Sequence, residues 1–289
     1  MFSGSLVAIV TPFTNGQVDY KTLEELVCFH LENGTDGIVP VGTTGESPTL
    51  TPVEHKKVIE CVVKTVAGKI PVIAGTGSNS TAEAIELTEH ARKIGADASL
   101  QVTPYYNKPT QEGFYQHFKM VAEEVNLPVM LYNIPGRSAA GMTAETIIRL
   151  SEIENIVAVK EATGSLDIAS EVANSCDLNI LSGDDSMTLP LASVGAKGVV
   201  SVVANIVPAD VKAMTDLILE GDLVSARKWH HKLFALSKSM LSMSTNPIPI
   251  KAAMEILDMC PEELRLPMTP LEESKKTVLK KALKDYGLL

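Results

Sequence analysis

Short apolar runs alternate with longer amphipathic stretches along this chain. Runs rich in β-branched residues, bounded by Gly, Pro, Asn or Asp, read as buried strands. They fall at residues 6–10, 37–41, 71–75, 98–103, 128–133, 156–160, 179–182 and 198–202. Between them the apolar residues recur with helical spacing, which predicts helices at 20–33, 52–67, 81–94, 111–125, 144–151, 166–175 and 186–194. Thr51-Pro52-Val53-Glu54 and Ser80-Thr81-Ala82-Glu83 both fit a capping box, the first with proline at its first helical position. Gly34, Gly68 and Gly95 stand where helices close.

Eight such strand–helix units predict an α/β fold, a (β/α)8 TIM barrel. An open doubly wound sheet would carry a Gly-rich turn after its first strand, where Thr11-Pro12-Phe13 stands instead. After residue 202 the strands stop. Helices are predicted at 208–220, 222–242, 247–257 and 270–286. The expected organisation is a barrel over residues 1–207 and a C-terminal helical extension over 208–289, packed on it with no linker between.

The stretch from Asn155 to Gly164 carries the sharpest chemical signal. Its strand ends in a lysine, and alternation puts Ile156, Ala158 and Lys160 on one face and Val157, Val159 and Glu161 on the other. Desolvation lowers a lysine pKa, and a neutral amine attacks carbonyl carbon. The bland alternative is a lysine that marks the strand's end and snorkels to water. In a barrel, however, the C-terminal strand ends form the active face. The preceding strand ends Met130-Leu131-Tyr132-Asn133, which sets Tyr132 level with Lys160 at roughly 5 Å between backbones. A phenol beside that amine can move the protons that imine formation requires.

Other strand ends add candidates. Gly42-Thr43-Thr44-Gly45-Glu46-Ser47 offers backbone N–H groups and two hydroxyls to an anion, although such a turn alone is ordinary. Thr43 and Tyr106, the latter from Tyr105-Tyr106-Asn107, are candidates to relay a proton from Tyr132. Residues 182–185 and 200–201 read as pocket walls, with Asp184 and Asp185 as helix caps rather than a carboxylate pair.

Composition narrows the classes. The chain has 289 residues, 45% hydrophobic, enough for a large core. A net charge of −10 argues against a nucleic-acid partner. No run is long enough to span a membrane, and residues 1–5 lack the features of a signal peptide. Cys28, Cys61, Cys176 and Cys260 form no C-x-x-C and read as reduced core thiols in a cytoplasmic protein. Six histidines without an H-x-x-x-H spacing give a metal site little support.

Residues 42–46, Tyr132-Asn133-Ile134-Pro135-Gly136-Arg137 and Val159-Lys160-Glu161-Ala162-Thr163-Gly164 together resemble the signatures of the 4-hydroxy-tetrahydrodipicolinate synthase (dihydrodipicolinate synthase) family. That family lies within the pyruvate-dependent class I aldolase and N-acetylneuraminate lyase superfamily. The likeness runs over essentially the whole chain. It implies a lyase of diaminopimelate and lysine biosynthesis that condenses pyruvate with L-aspartate 4-semialdehyde, without metal or organic cofactor. It implies Lys160 as Schiff-base lysine, Tyr132 as proton donor and acceptor, and Thr43 and Tyr106 as relay, with Tyr106 reaching in from a neighbouring subunit of a homotetramer. Thr44 would bind the pyruvate carboxylate, Gly183 and Val200 would border the imine, and Arg137 would grip the semialdehyde carboxylate. In lysine-inhibited members an interface cleft binds the end product. The matching positions here are Ser47, Pro48, His55, Asn79, Glu83 and Tyr105, with Pro48 and Pro52 departing from the pattern. The rival readings are a pyruvate-dependent aldolase acting on a sugar acid and a barrel that binds a small anion without catalysis.

Overall fold

Eight parallel strands follow one another around a closed barrel in this computed structural model, which describes residues 2–289. They are β1 (Gly4–Ala8), β2 (Gly37–Val39), β3 (Ile73–Gly75), β4 (Ala98–Val102), β5 (Val129–Asn133), β6 (Ile156–Glu161), β7 (Asn179–Ser182) and β8 (Gly198–Ser201). β1 pairs with both β2 and β8. The Ile38–Val72 bridge and the Gly75 N–H bond to the Pro40 carbonyl (3.0 Å) close β2 onto β3. Among the described residues, closure leaves the barrel sheet itself without an open edge.

The predicted elements recur with ends shifted by no more than three residues, and several ends coincide. The barrel helices are α1 (Tyr20–Glu32), α2 (Pro52–Val66), α3 (Thr81–Lys93), α4 (Gln111–Glu124), α5 (Ala144–Ser151), α6 (Leu166–Ser175) and α7 (Thr188–Ala192). α7 is shorter than predicted because its first residues, Asp185–Met187, form a tighter 3-10 turn. Then come α8 (Pro208–Leu219), α9 (Leu223–Ser242), α10 (Ile248–Ile256) and α11 (Glu273–Tyr286). α8 packs against β1 and β8 and so takes the place of the eighth barrel helix. Inside the barrel, Leu6, Val39, Leu100, Met130, Ala158 and Leu181 form one buried cluster. Alternate residues of the same strands, such as Val129, Leu131, Val159 and Ile180, face the helices.

Three sequence expectations need correction, and a fourth feature was not expected. Val129 pairs with Ile156 but Met130 pairs with Ala158, so Val157 is an extra residue in the ladder. A bulge reverses the alternation, and Ile156 therefore joins the helix-facing cluster instead of sharing a face with Lys160. Second, Thr51 and Glu54 do form the reciprocal capping box, but Ser80 and Glu83 do not. Ser78 intervenes: its hydroxyl donates to the Glu83 carboxylate and accepts the Ser80 N–H at 3.1 Å. Third, of the four free thiols only Cys260 is buried, whereas Cys28 is exposed. Fourth, Phe13–Thr14 and Gln17–Val18 pair as an unpredicted hairpin. Its signal was present in Asn15-Gly16, both of which adopt positive φ.

Candidate active site

Lys160 stands near the C-terminal end of β6 with only 6% of its surface exposed. The strand residues before it, Ala158 and Val159, are apolar and buried, so little of the side chain meets water. Lys160 and Tyr132 are Cα partners, and the lysine Nζ lies 4.2 Å from the centre of the tyrosine ring. Burial pulls the ammonium from 10.5 down to about 7; the Asp185 carboxylate opposes that pull and the Arg137 guanidinium adds to it. Burial also pushes the Tyr132 phenol up to about 12, opposed by Arg137 and by a hydrogen bond with Thr43. At neutral pH the pair therefore holds a partly free amine and a protonated phenol, the states needed for carbonyl attack and proton donation.

The surrounding turns are constrained. Asp185 was expected to cap a helix, but that task falls to Asp184, which accepts the Ser186 N–H at 2.8 Å. Asp185 is buried and accepts from the Ser201 hydroxyl and from the N–H groups of Val202 and Val203 at 3.0 and 3.2 Å. It ties the end of β7 to the end of β8 and places a carboxylate where Lys160 feels it. Gly183 admits no side chain: a Cβ there would lie 2.7 Å from that of Ala162 and 3.2 Å from Lys160 Cε. Val200 is buried inside the barrel level with Leu6.

Thr44 is buried, and its hydroxyl oxygen accepts from the Asn246 amide at 2.9 Å. That bond leaves the hydroxyl proton available to an anion. Arg137 sits on the helical turn Pro135–Ser138 that follows β5, and donates to the main-chain oxygen of Asn246 at 3.1 Å. Asn246 thus joins two of the expected substrate-binding residues. Nothing in the sequence pointed to it, because it lies some two hundred residues from Thr44 in a segment without a motif.

A cavity of 270 Å³ opens at this face, lined in part by Thr43, Tyr132, Arg137, Ser47, Pro48 and Tyr105. Lys160, Thr44, Gly183 and Val200 are not on its wall; Tyr132 connects Lys160 to it. Tyr106 is 90% exposed with a left-handed backbone (φ 70°), so it does not enter the cavity of its own chain. Of the remaining positions expected at a lysine site, one contacts Tyr105. Asn79 donates to the Tyr105 carbonyl at 3.1 Å. His55 is buried, its pKa pulled to about 4 mainly by that burial, and its Nδ1 has no partner. It senses the charge of Glu83 on the next helix. Among the described residues no cluster of three His, Cys, Asp or Glu side chains is arranged to hold a metal ion, and no helix is long and apolar enough to cross a membrane.

Comparison with known proteins agrees with this geometry. The model of the dihydrodipicolinate synthetase family matches residues 1–286. A 4-hydroxy-tetrahydrodipicolinate synthase of Geotalea uraniireducens (strain Rf4) is 55% identical over 291 aligned positions, covering 100% of both chains. A crystal structure of a dihydrodipicolinate synthase superimposes with a TM-score of 0.98 at 52% identity, over 100% of both chains. The Cyanidioschyzon merolae enzyme, solved with lysine bound, gives a TM-score of 0.96 at 44% identity, over 100% of this chain and 99% of that one.

Proposed function

The chain belongs to the dihydrodipicolinate synthetase family, and from that premise we propose how its own residues divide the work. The reaction is the condensation of pyruvate with L-aspartate 4-semialdehyde to 4-hydroxy-tetrahydrodipicolinate, a lyase-class step of diaminopimelate and lysine biosynthesis. The observation that carries the assignment is the buried Lys160 amine against the Tyr132 ring at the catalytic end of a barrel strand.

In this reading the Lys160 amine attacks the pyruvate ketone, and Tyr132 donates the proton that lets the carbinolamine hydroxyl leave as water. The iminium draws electrons from the methyl carbon, which loses a proton and becomes an enamine. That carbon attacks the aldehyde of the second substrate. The substrate's own amine then closes the ring and displaces Lys160. Thr43 passes protons to and from Tyr132, supported by its contact with the phenol. Thr44 and the turn N–H groups hold the pyruvate carboxylate, and Gly183 and Val200 leave room for the imine. Arg137, on the cavity wall, holds the semialdehyde carboxylate.

The proposal extends to the assembly. Tyr106 completes the relay in a neighbouring subunit of a homotetramer, for which its outward position is the support. L-Lysine inhibits by binding near Ser47, His55, Asn79, Glu83 and Tyr105, as the lysine-bound relative suggests. A cytoplasmic setting is supported by four unpaired thiols.

The test is borohydride reduction in the presence of pyruvate, followed by digestion and peptide mapping. The adduct is expected on Lys160. An adduct on another lysine, or none, overturns the assignment.

A further inference from the structure

Behind the turn of residues 42–46 lies a charged pair that the reaction scheme does not use. Lys251, on α10, has no exposed surface. Its Nζ donates to Glu46 Oε1 and to the Glu263 main-chain oxygen, both at 2.6 Å, and lies 4.3 Å over the Phe13 ring. Glu46 is itself buried, and its other oxygen accepts the Arg265 N–H at 3.2 Å. Burial pulls the Lys251 ammonium down and the Glu46 carboxylate opposes that.

The position of Glu46 is electrostatically odd. It ends the turn that carries Thr43 and Thr44, its N–H bonded to the Thr43 carbonyl at 3.1 Å. Its backbone is left-handed (φ 55°), a conformation that costs energy for a residue other than glycine. A carboxylate so placed repels any anion the turn is to hold, and low-dielectric surroundings strengthen the repulsion. An ammonium at 2.6 Å removes most of that field.

We propose that Lys251 is a positioning residue for pyruvate: by neutralising Glu46 it lets the turn of residues 42–46 receive a carboxylate. This rests on the reading that Thr44 and its turn bind the pyruvate carboxylate. A lysine that merely staples the extension to the barrel makes a different prediction, because breaking the same ion pair from either side then does the same harm.

The experiment measures pyruvate KM, kcat and thermal unfolding for Lys251→Met, Glu46→Gln and the double variant. Lys251→Met removes the ammonium bonded to the carboxylate, leaving it only the main-chain N–H and the more distant guanidinium of Arg265, and raises pyruvate KM about tenfold with a smaller change in kcat. Glu46→Gln leaves a buried cation behind the turn and lowers pyruvate KM. The double variant returns to within about threefold of the parent, the coupling expected of an interacting pair. Equal increases from both single variants, or no change from either, overturn the proposal. Should Lys251→Met fail to fold, Glu46→Gln decides: a lowered KM supports the charge argument, and an unchanged or raised one overturns it. Thr44→Val tests the premise separately. If it leaves pyruvate KM unchanged, the carboxylate is bound elsewhere, and the assignment of the turn fails whatever Lys251 does.

Discussion

Tyr132 and Lys160 are Cα partners on adjacent parallel strands, and the lysine nitrogen rests 4.2 Å from the centre of the tyrosine ring. Tyr132, at 4% exposure, is buried to much the same degree as Lys160 at 6%. The same desolvation therefore acts on both groups in opposite directions. It frees the amine and keeps the phenol protonated.

The first prediction follows from the Lys160 pKa of about 7. The rate of imine formation with pyruvate should rise with pH and reach half its plateau near pH 7, measured by borohydride trapping over time. Stability carries the matching sign. The folded value lies below the unfolded value of 10.5, so between about 7 and 10.5 the unfolded chain binds more protons and stability rises with pH. Below that window the penalty is complete. Lys160→Met should therefore be inactive yet more stable, by roughly 3–5 kcal/mol at about pH 6, with the gain shrinking toward pH 10.5. Denaturant melts at several pH values check this; a gain that does not depend on pH would count against it.

Asp185→Asn should move the acid limb of the pH–rate profile to lower pH. The buried carboxylate holds Lys160 up, and an amide cannot. The variant should also lose roughly 1–3 kcal/mol of stability, because buried N–H groups of Val202 and Val203 lose a charged acceptor. An acid limb that stays in place would show that the Asp185 charge does not reach Lys160.

Arg137→Ala should shift the same limb the other way, since the guanidinium helps to depress Lys160. Its larger effect should be on the second substrate. The KM for L-aspartate 4-semialdehyde should rise by about ten- to a hundredfold, the range of a lost bidentate charged contact. The pyruvate adduct should still form. A variant that fails to form the adduct while binding semialdehyde normally would reverse the assigned role.

Tyr106→Phe and Lys160→Ala should each be inactive and should recover activity when mixed under conditions that exchange subunits. A hybrid dimer then contains one site with both wild-type residues. The outward position of Tyr106 in its own chain is the reason to look for trans action. Exchange shown by mass without recovered turnover would remove it from the relay.

L-Lysine should inhibit partially in the millimolar range, and Glu83→Ala should weaken that inhibition. The Glu83 carboxylate is engaged by Ser78 and not by a helix-capping box, and Ser78 adjoins Asn79, which donates to the Tyr105 carbonyl. Inhibition curves for the two proteins decide it. Identical curves, or a wild type indifferent to lysine, would place no effector there.

The sequence alone determined the order of elements, the closed-barrel class and the lysine, tyrosine and threonine that stand at its strand ends. Those features are local: strand length, period and turn chemistry are written within a few residues of each position, and the barrel's topology tells which ends share a face. The parity of Ile156 was not legible, because the bulge at Val157 exists only in the pairing with β5. Nor were the partners of Ser78, Asp185, Asn246 and Lys251. Each meets a group 5 to 205 positions away, and several residues of the right type competed for each contact. Which carboxylate faces the Lys160 amine, and which cation stands behind the turn of residues 42–46, is a matter of through-space distance and shared burial. Tertiary packing decided both, since a charge acts on its neighbours in space with a strength set by how little water lies between them.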